Sequence, residues 1–137
     1  MSVPAPTIVR FLNPASMPPS FGYTQVVEVT GSKMLYIAGQ VAIDPAGQMI
    51  GASDLSAQTQ QVFENLKAGL EAVGATFEHV VKLQFYLIDI TQIQIVRDVR
   101  DRYINTQFPP ASTAVEVRRL FRDELLIEID AIAALPA

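Results

Sequence analysis

The run Phe108-Pro109-Pro110-Ala111-Ser112-Thr113-Ala114-Val115-Glu116-Val117, followed by Leu125-Leu126-Ile127-Glu128-Ile129-Asp130-Ala131-Ile132-Ala133, decides the fold. Both segments alternate with period two. Thr113, Val115 and Val117 share one face of the first; Leu125, Ile127, Ile129, Ala131 and Ala133 share one face of the second. That pattern predicts two half-buried strands, read as an antiparallel pair joined by the charged turn 118–124. The opposite faces carry Ser112, Ala114 and Glu116 on one strand and Leu126, Glu128, Asp130 and Ile132 on the other. Carboxylates among Leu and Ile do not suit a plain solvent face. They predict a surface buried against another subunit around a polar cavity.

Working outward, Thr91-Gln92-Ile93-Gln94 reads as a capping box opening a helix to about Thr106. Its buried side is expected to be Ile95 or Val96, with Val99 and Tyr103; Arg97, Asp98, Arg100, Asp101 and Arg102 take the other, and Pro109 stops it. Residues 79–89 alternate and then become continuously apolar at Phe85-Tyr86-Leu87-Ile88, as a central strand does. Ser53 or Asp54 caps an earlier helix to about Val73, with Leu55, Val62, Phe63, Leu66, Leu70 and Val73 on one stripe and Gly74 placed to end it. Tyr23 to Thr30 and Met34 to Gly39 read as a hairpin turning at Gly31-Ser32-Lys33, and Asp44-Pro45-Ala46-Gly47 is a turn. Thr7 to Leu12 is a short edge strand, kept short by the prolines around it. The order of strands, helix, strand, helix and two strands predicts an α/β (α+β) domain spanning 1–137. It is a single mixed sheet with two helices on one face.

Half of the 137 residues are hydrophobic and only 18% are charged. One such chain has more apolar surface than it can hide, so self-association is expected. With no Cys, a disulfide framework, a thiolate metal site and a thiol nucleophile are excluded. The net charge of −4 argues against a general nucleic-acid surface. No apolar run approaches the ~20 residues of a spanning helix. The N-terminus lacks a signal pattern, so the expected location is cytoplasmic, with no membrane partner. No metal-ligand spacing, phosphate loop or Gly-x-Ser-x-Gly motif occurs, and neither metal nor cofactor is expected.

Pro110-Ala111-Ser112-Thr113-Ala114-Val115-Glu116-Val117 and Ile127-Glu128-Ile129-Asp130-Ala131-Ile132-Ala133 resemble the C-terminal signature of the RidA (YjgF) family. Gly22-Tyr23-Thr24-Gln25, Ile37-Ala38-Gly39-Gln40, the segment 58–66 and Val80-Val81-Lys82 supply further pieces in the right order. The resemblance covers about residues 20 to 135. It implies a chorismate-mutase-like fold, a homotrimeric barrel and ligand clefts between adjacent subunits. The implied activity is hydrolysis of reactive enamines or imines to a 2-oxo acid and ammonia.

Carried over residue by residue, the resemblance makes Glu128 the glutamate that holds or activates water, and Tyr23 the tyrosine that positions substrate. Gly39 and Gln40 match the family's Gly-Gln. Ser112 stands where the family's carboxylate-pairing arginine is expected, Ala114 where a Cys or Thr is common, Ala38 where a serine precedes Gly-Gln, and Arg97 where an Asn often faces the cleft. Plainer readings stand beside these. Glu128 also reads as an interface carboxylate, and Tyr23 as a packing aromatic. Arg97 reads first as part of a charged helix face with Asp98 and Asp101. Arg118 and Arg119 read as turn or interface residues, and His79 as structural.

Two functions follow. The first is a cofactor-free hydrolase or deaminase for a small imine, enamine or related metabolite, other than the usual 2-aminoacrylate because Ser112 cannot make two charge-assisted bonds. The second is a non-catalytic trimer that binds a small molecule. Ribonuclease activity attaches through the resemblance alone and ranks last.

Overall fold

The computed structural model describes residues 8–137. In chain order the elements are β1 (Ile8–Leu12), β2 (Val26–Thr30), β3 (Ser32–Gln40), α1 (Leu55–Glu71), β4 (Val80–Leu87), α2 (Ile93–Arg100), β5 (Ala111–Glu116) and β6 (Ile127–Pro136). A four-stranded sheet runs β3-β6-β4-β5, and β1 pairs with β2 in a separate two-stranded ribbon. The larger sheet is mixed: β4 and β5 are parallel, and the other neighbours antiparallel. It stays open, with β3 and β5 at its edges.

Helix α1 starts where Asp54 accepts a hydrogen bond from the Ala57 amide at 3.1 Å. It ends near Gly74, whose φ of 75° is the left-handed geometry glycine tolerates. The expected stripe of Leu55, Val62, Phe63, Leu66 and Leu70 is buried, while Val73 lies past the helix end and is 50% exposed. These side chains pack with Val96 and Val99 of α2 against Leu83, Phe85 and Leu87 of β4 and Ile127, Ile129, Ala131 and Ala133 of β6. One core therefore sits between one face of the sheet and both helices. Gln58 is buried within it and satisfied: its amide donates to the carbonyls of Gly51 (3.1 Å) and Glu124 (2.9 Å), and its oxygen accepts from the Leu126 amide (2.9 Å).

Two expected strand pairs are not formed. Residues 23–30 and 34–39 make no hairpin, because β3 begins at Ser32 and Gly31 alone separates it from β2. One residue is too few for a hairpin loop. The chain instead passes from the ribbon with β1 to pairing with β6. Likewise β5 and β6 are not neighbours, since β4 lies between them. The α2 crossover returns β5 parallel to β4, with Ser112 opposite Leu83, while β6 lies antiparallel on the other side, with Glu128 opposite Tyr86. The ten residues 117–126 span the end of β4, a longer reach than a tight hairpin needs.

The expected capping box at Thr91 is also replaced. Asp89 accepts from the Thr91 amide at 3.0 Å and its hydroxyl at 2.6 Å, closing a 3-10 turn over Ile90–Gln92 before α2 begins. Gln94 instead donates to Asp98. Helix α2 stops at Arg100, short of Thr106. The chain then tightens, with Tyr103 N bonded to Arg100 O, and carries the Tyr103 ring onto Phe63 at 5.0 Å. The N-terminal strand starts at Ile8; Thr7 lies outside the described residues.

Candidate functional site

Strand parity divides the expected site residues between the two faces of the sheet. Ser112 and Ala114 lie opposite Leu83 and Phe85, whose side chains belong to the core, so they face α2. Glu128 and Asp130 lie opposite Tyr86 and Gln84 on the face no helix covers. The expectation that Ser112, Ala114 and Glu128 share one face therefore fails within a single chain. It rested on the alternation that put Thr113 and Val115 on the inward side of β5, whereas Ser112 and Ala114 turn inward and Val115 is 40% exposed.

On the helix side, Tyr23, Ser112, Ala114 and Arg97 line a cavity of about 100 Å³. Its apolar wall comes from Phe21, Phe85, Ile93 and Val96, and Arg100 completes it. What brings Tyr23 to Ser112 is the buried Thr24. Its hydroxyl donates to the carbonyl of Pro109 (2.5 Å) and its amide to that of Pro110 (3.2 Å), latching the segment before β2 onto the entrance of β5. The paired prolines have no amide hydrogens to donate, which leaves their carbonyls as the bonding groups here. Arg97 is half-buried in the cavity wall, and among the described residues it makes no ion pair with Asp98 or Asp101. Arg97 thus belongs to the cavity wall as well as to the helix that carries Asp98 and Asp101.

Arg100 escaped the sequence reading, which put it on the solvent side of α2. Its side chain is only 9% exposed, with Nε donating to Asp101 at 2.9 Å. Gly22, at φ 76°, makes room for it: a Cβ there would lie 2.9 Å from Nη2. The signal available in sequence was spacing, since Arg97 and Arg100 stand three apart and so on one side of the helix.

On the uncovered face, Glu128 lies across Gly39, where any Cβ would overlap its carboxylate. Ala38 and Gln40 flank that glycine at an irregularity in the β3–β6 register, with the Gln40 amide bonded to the Ala38 carbonyl at 3.0 Å. Burial, and then the neighbouring charge of Asp130, push the Glu128 carboxyl above its ordinary range. Tyr86, a residue the sequence reading treated only as core, donates its hydroxyl toward Gln84 (2.8 Å) and Asp130 (3.1 Å). Burial, and then the carboxylates of Asp130 and Glu128, raise its pKa too. The face also exposes Tyr36, Met34 and Val115. The arrangement thus offers a cationic, half-apolar cavity on one side and a half-buried carboxyl with a raised pKa on the other. Among the described residues no group of His, Cys, Asp and Glu is set to hold a metal ion, and no helix is long and apolar enough to cross a membrane.

Comparison with known proteins places these features in a family. The family model described as Endoribonuclease L-PSP matches residues 14–135. Protein DfrA of Myxococcus xanthus is 42% identical over 111 residues, 81% of this chain and 83% of that protein. The human 2-iminobutanoate/2-iminopropanoate deaminase is 32% identical over 127 residues, 92% of this chain and 90% of that protein. Among solved structures, a Rid-family protein of unknown function from Yersinia pestis, YyfB, superposes with a TM-score of 0.81 at 38% identity, over 93% of this chain and 98% of that one.

Proposed function

We propose, from the premise that this chain belongs to the Endoribonuclease L-PSP family, that of the RidA (YjgF) proteins, a cofactor-free hydrolase or deaminase for small reactive imines or enamines. The observation that carries this reading is Glu128, a half-buried carboxylate lying over Gly39 with its pKa raised. A carboxyl poised nearer neutrality than usual is suited to give and take the protons of imine hydrolysis. Water adds to the C=N carbon while a proton goes to nitrogen, and collapse of the carbinolamine releases ammonia and leaves a carbonyl. Glu128 acts as the general base on that water and then as the acid for the departing amine. Tyr23 orients the substrate, and the substrate lies by Ser112 and Ala114. That one relative carries the name 2-iminobutanoate/2-iminopropanoate deaminase supports the reaction class. With Ser112 where a carboxylate-pairing arginine is expected, the substrate differs from the usual 2-aminoacrylate.

Because the cavity and Glu128 lie on opposite faces of one sheet, the working cleft is assigned to the junction of two copies in a homotrimer. The cavity of one copy then meets Glu128, with Ala38, Gly39 and Gln40, of the next. The exposed Tyr36, Met34 and Val115 beside Glu128 support such a junction. The test is ammonia release from imines generated in place by an amino-acid oxidase. Wild-type protein should accelerate it and Glu128→Gln should abolish the acceleration; a Glu128→Gln protein with unchanged turnover overturns the assignment. A second reading, a non-catalytic binding trimer, draws on the replacement at Ser112. Acceleration above the uncatalysed rate removes it.

A further inference from the structure

We propose that Asp130 is a positioning residue for Glu128: the Tyr86 hydroxyl holds the Asp130 carboxylate beside Glu128 on the uncovered face, and that fixed negative charge governs when Glu128 takes up and gives back a proton. This rests on the reading above that Glu128 is the base and acid of imine hydrolysis, and it names the groups that set the working pH of that site.

Strand β6 puts both carboxyls on one side. Glu128 and Asp130 stand two positions apart, so their side chains share a face with about 6.5 Å between them along the backbone. Strand β4 supplies the hold, with Tyr86 opposite Glu128 and Gln84 opposite Asp130. The Tyr86 hydroxyl lies 2.8 Å from Gln84 Oε1 and 3.1 Å from Asp130 Oδ2. One hydroxyl hydrogen cannot serve both oxygens. The charged acceptor takes it, and half a turn of the Gln84 amide lets its NH2 donate to the tyrosine oxygen. Both donors then point toward Asp130, and its carboxylate is kept from swinging into water.

A like charge fixed on the same face disfavours ionisation of Glu128. Little on that face offsets it. Lys82 of β4 is turned to the Thr113 hydroxyl at 2.8 Å, and β3 contributes only Tyr36 as a titratable neighbour. Among the described residues no ion pair joins Glu128 or Asp130 to a cation. Burial and then Asp130 do push the Glu128 carboxyl upward. In the shared cleft the neighbouring copy's cavity brings arginines that act the other way, so the Asp130 contribution is read as a difference between variants of the same assembly.

Carboxyl NMR titration of the intact protein tests the proposal without relying on turnover. Asp130→Asn removes the charge but keeps the shape and an acceptor for Tyr86, so the Glu128 midpoint should fall toward its ordinary range. Tyr86→Phe frees the carboxylate without removing it and should lower the midpoint by less. Asp123→Asn takes the same charge from the exposed turn and should leave the midpoint where it is. In imine hydrolysis the acid limb of the pH–rate profile should move to lower pH in Asp130→Asn, because the base form of Glu128 then persists further into acid. An unmoved midpoint in Asp130→Asn, or an equal fall in Asp123→Asn, would overturn the proposal. Where Asp130→Asn does not fold, Tyr86→Phe decides, and a midpoint there equal to wild type overturns it too. A midpoint that falls in Asp130→Asn while wild type hydrolyses no imine would sink the proposed reaction and leave the coupling of Asp130 to Glu128 standing.

Discussion

Glu128 is half-buried over Gly39 with Asp130 on the same face, and burial followed by that charge raises its pKa in the folded chain. An acid whose folded pKa is raised contributes stability below its unfolded value, and that contribution is lost as pH rises through the folded value. Glu128→Gln should therefore melt with the wild type well below pH 4.5 and above it at neutral pH, a difference that thermal scans at several pH values will read. The direct check is carboxyl NMR, in which Glu128 should titrate above 4.5. Gly39→Ala is the companion. Its methyl meets the far end of a flexible side chain, so the fold should survive while the carboxylate swings outward. The Glu128 titration should then fall back toward its ordinary range, and imine hydrolysis should be lost.

Among elements, α1 is tied to the approach to β6 by one buried amide. Gln58→Ala would leave two carbonyls and one amide without their partner, costing about 1–3 kcal/mol in urea unfolding. Thr24→Val opens the latch on Pro109 while keeping the side chain's volume. It should cost about 1 kcal/mol and slow imine hydrolysis by loosening Tyr23 from the cavity it lines with Ser112. Periodicity made the elements legible, since alternation and the 3.6-residue stripe are written into the side chains themselves. Which strand lies beside which was not. β4 has an apolar run that marks it as central, yet nothing local says that it separates β5 from β6, and reading Val115 as the inward side of β5 puts Ser112 and Glu128 on one face. Tyr23, Arg97, Ser112 and Ala114 were nonetheless named from sequence and meet in one cavity. Arg100 was hidden because a buried guanidinium and a solvent-facing one are spelled alike. Only the fold brings Gly22 against it.

For the molecule as a whole, the proposed self-association is assigned to the uncovered face, where Tyr36 is 72% exposed. Sedimentation should give a species three times the 15.0 kDa of one chain, and Tyr36→Glu should shift it toward the monomer. A monomeric wild type would remove the shared cleft. The division of chemistry between the two sides of the sheet also carries a genetic consequence. Two preparations, one inactivated at Glu128 and the other at Tyr23, should be separately dead. Unfolded together in equal amounts and renatured as hybrids, they should recover about one quarter of wild-type turnover, because chance pairs an intact donor with an intact recipient that often. Complementation of this kind is open only to a protein whose reactive parts come from different copies.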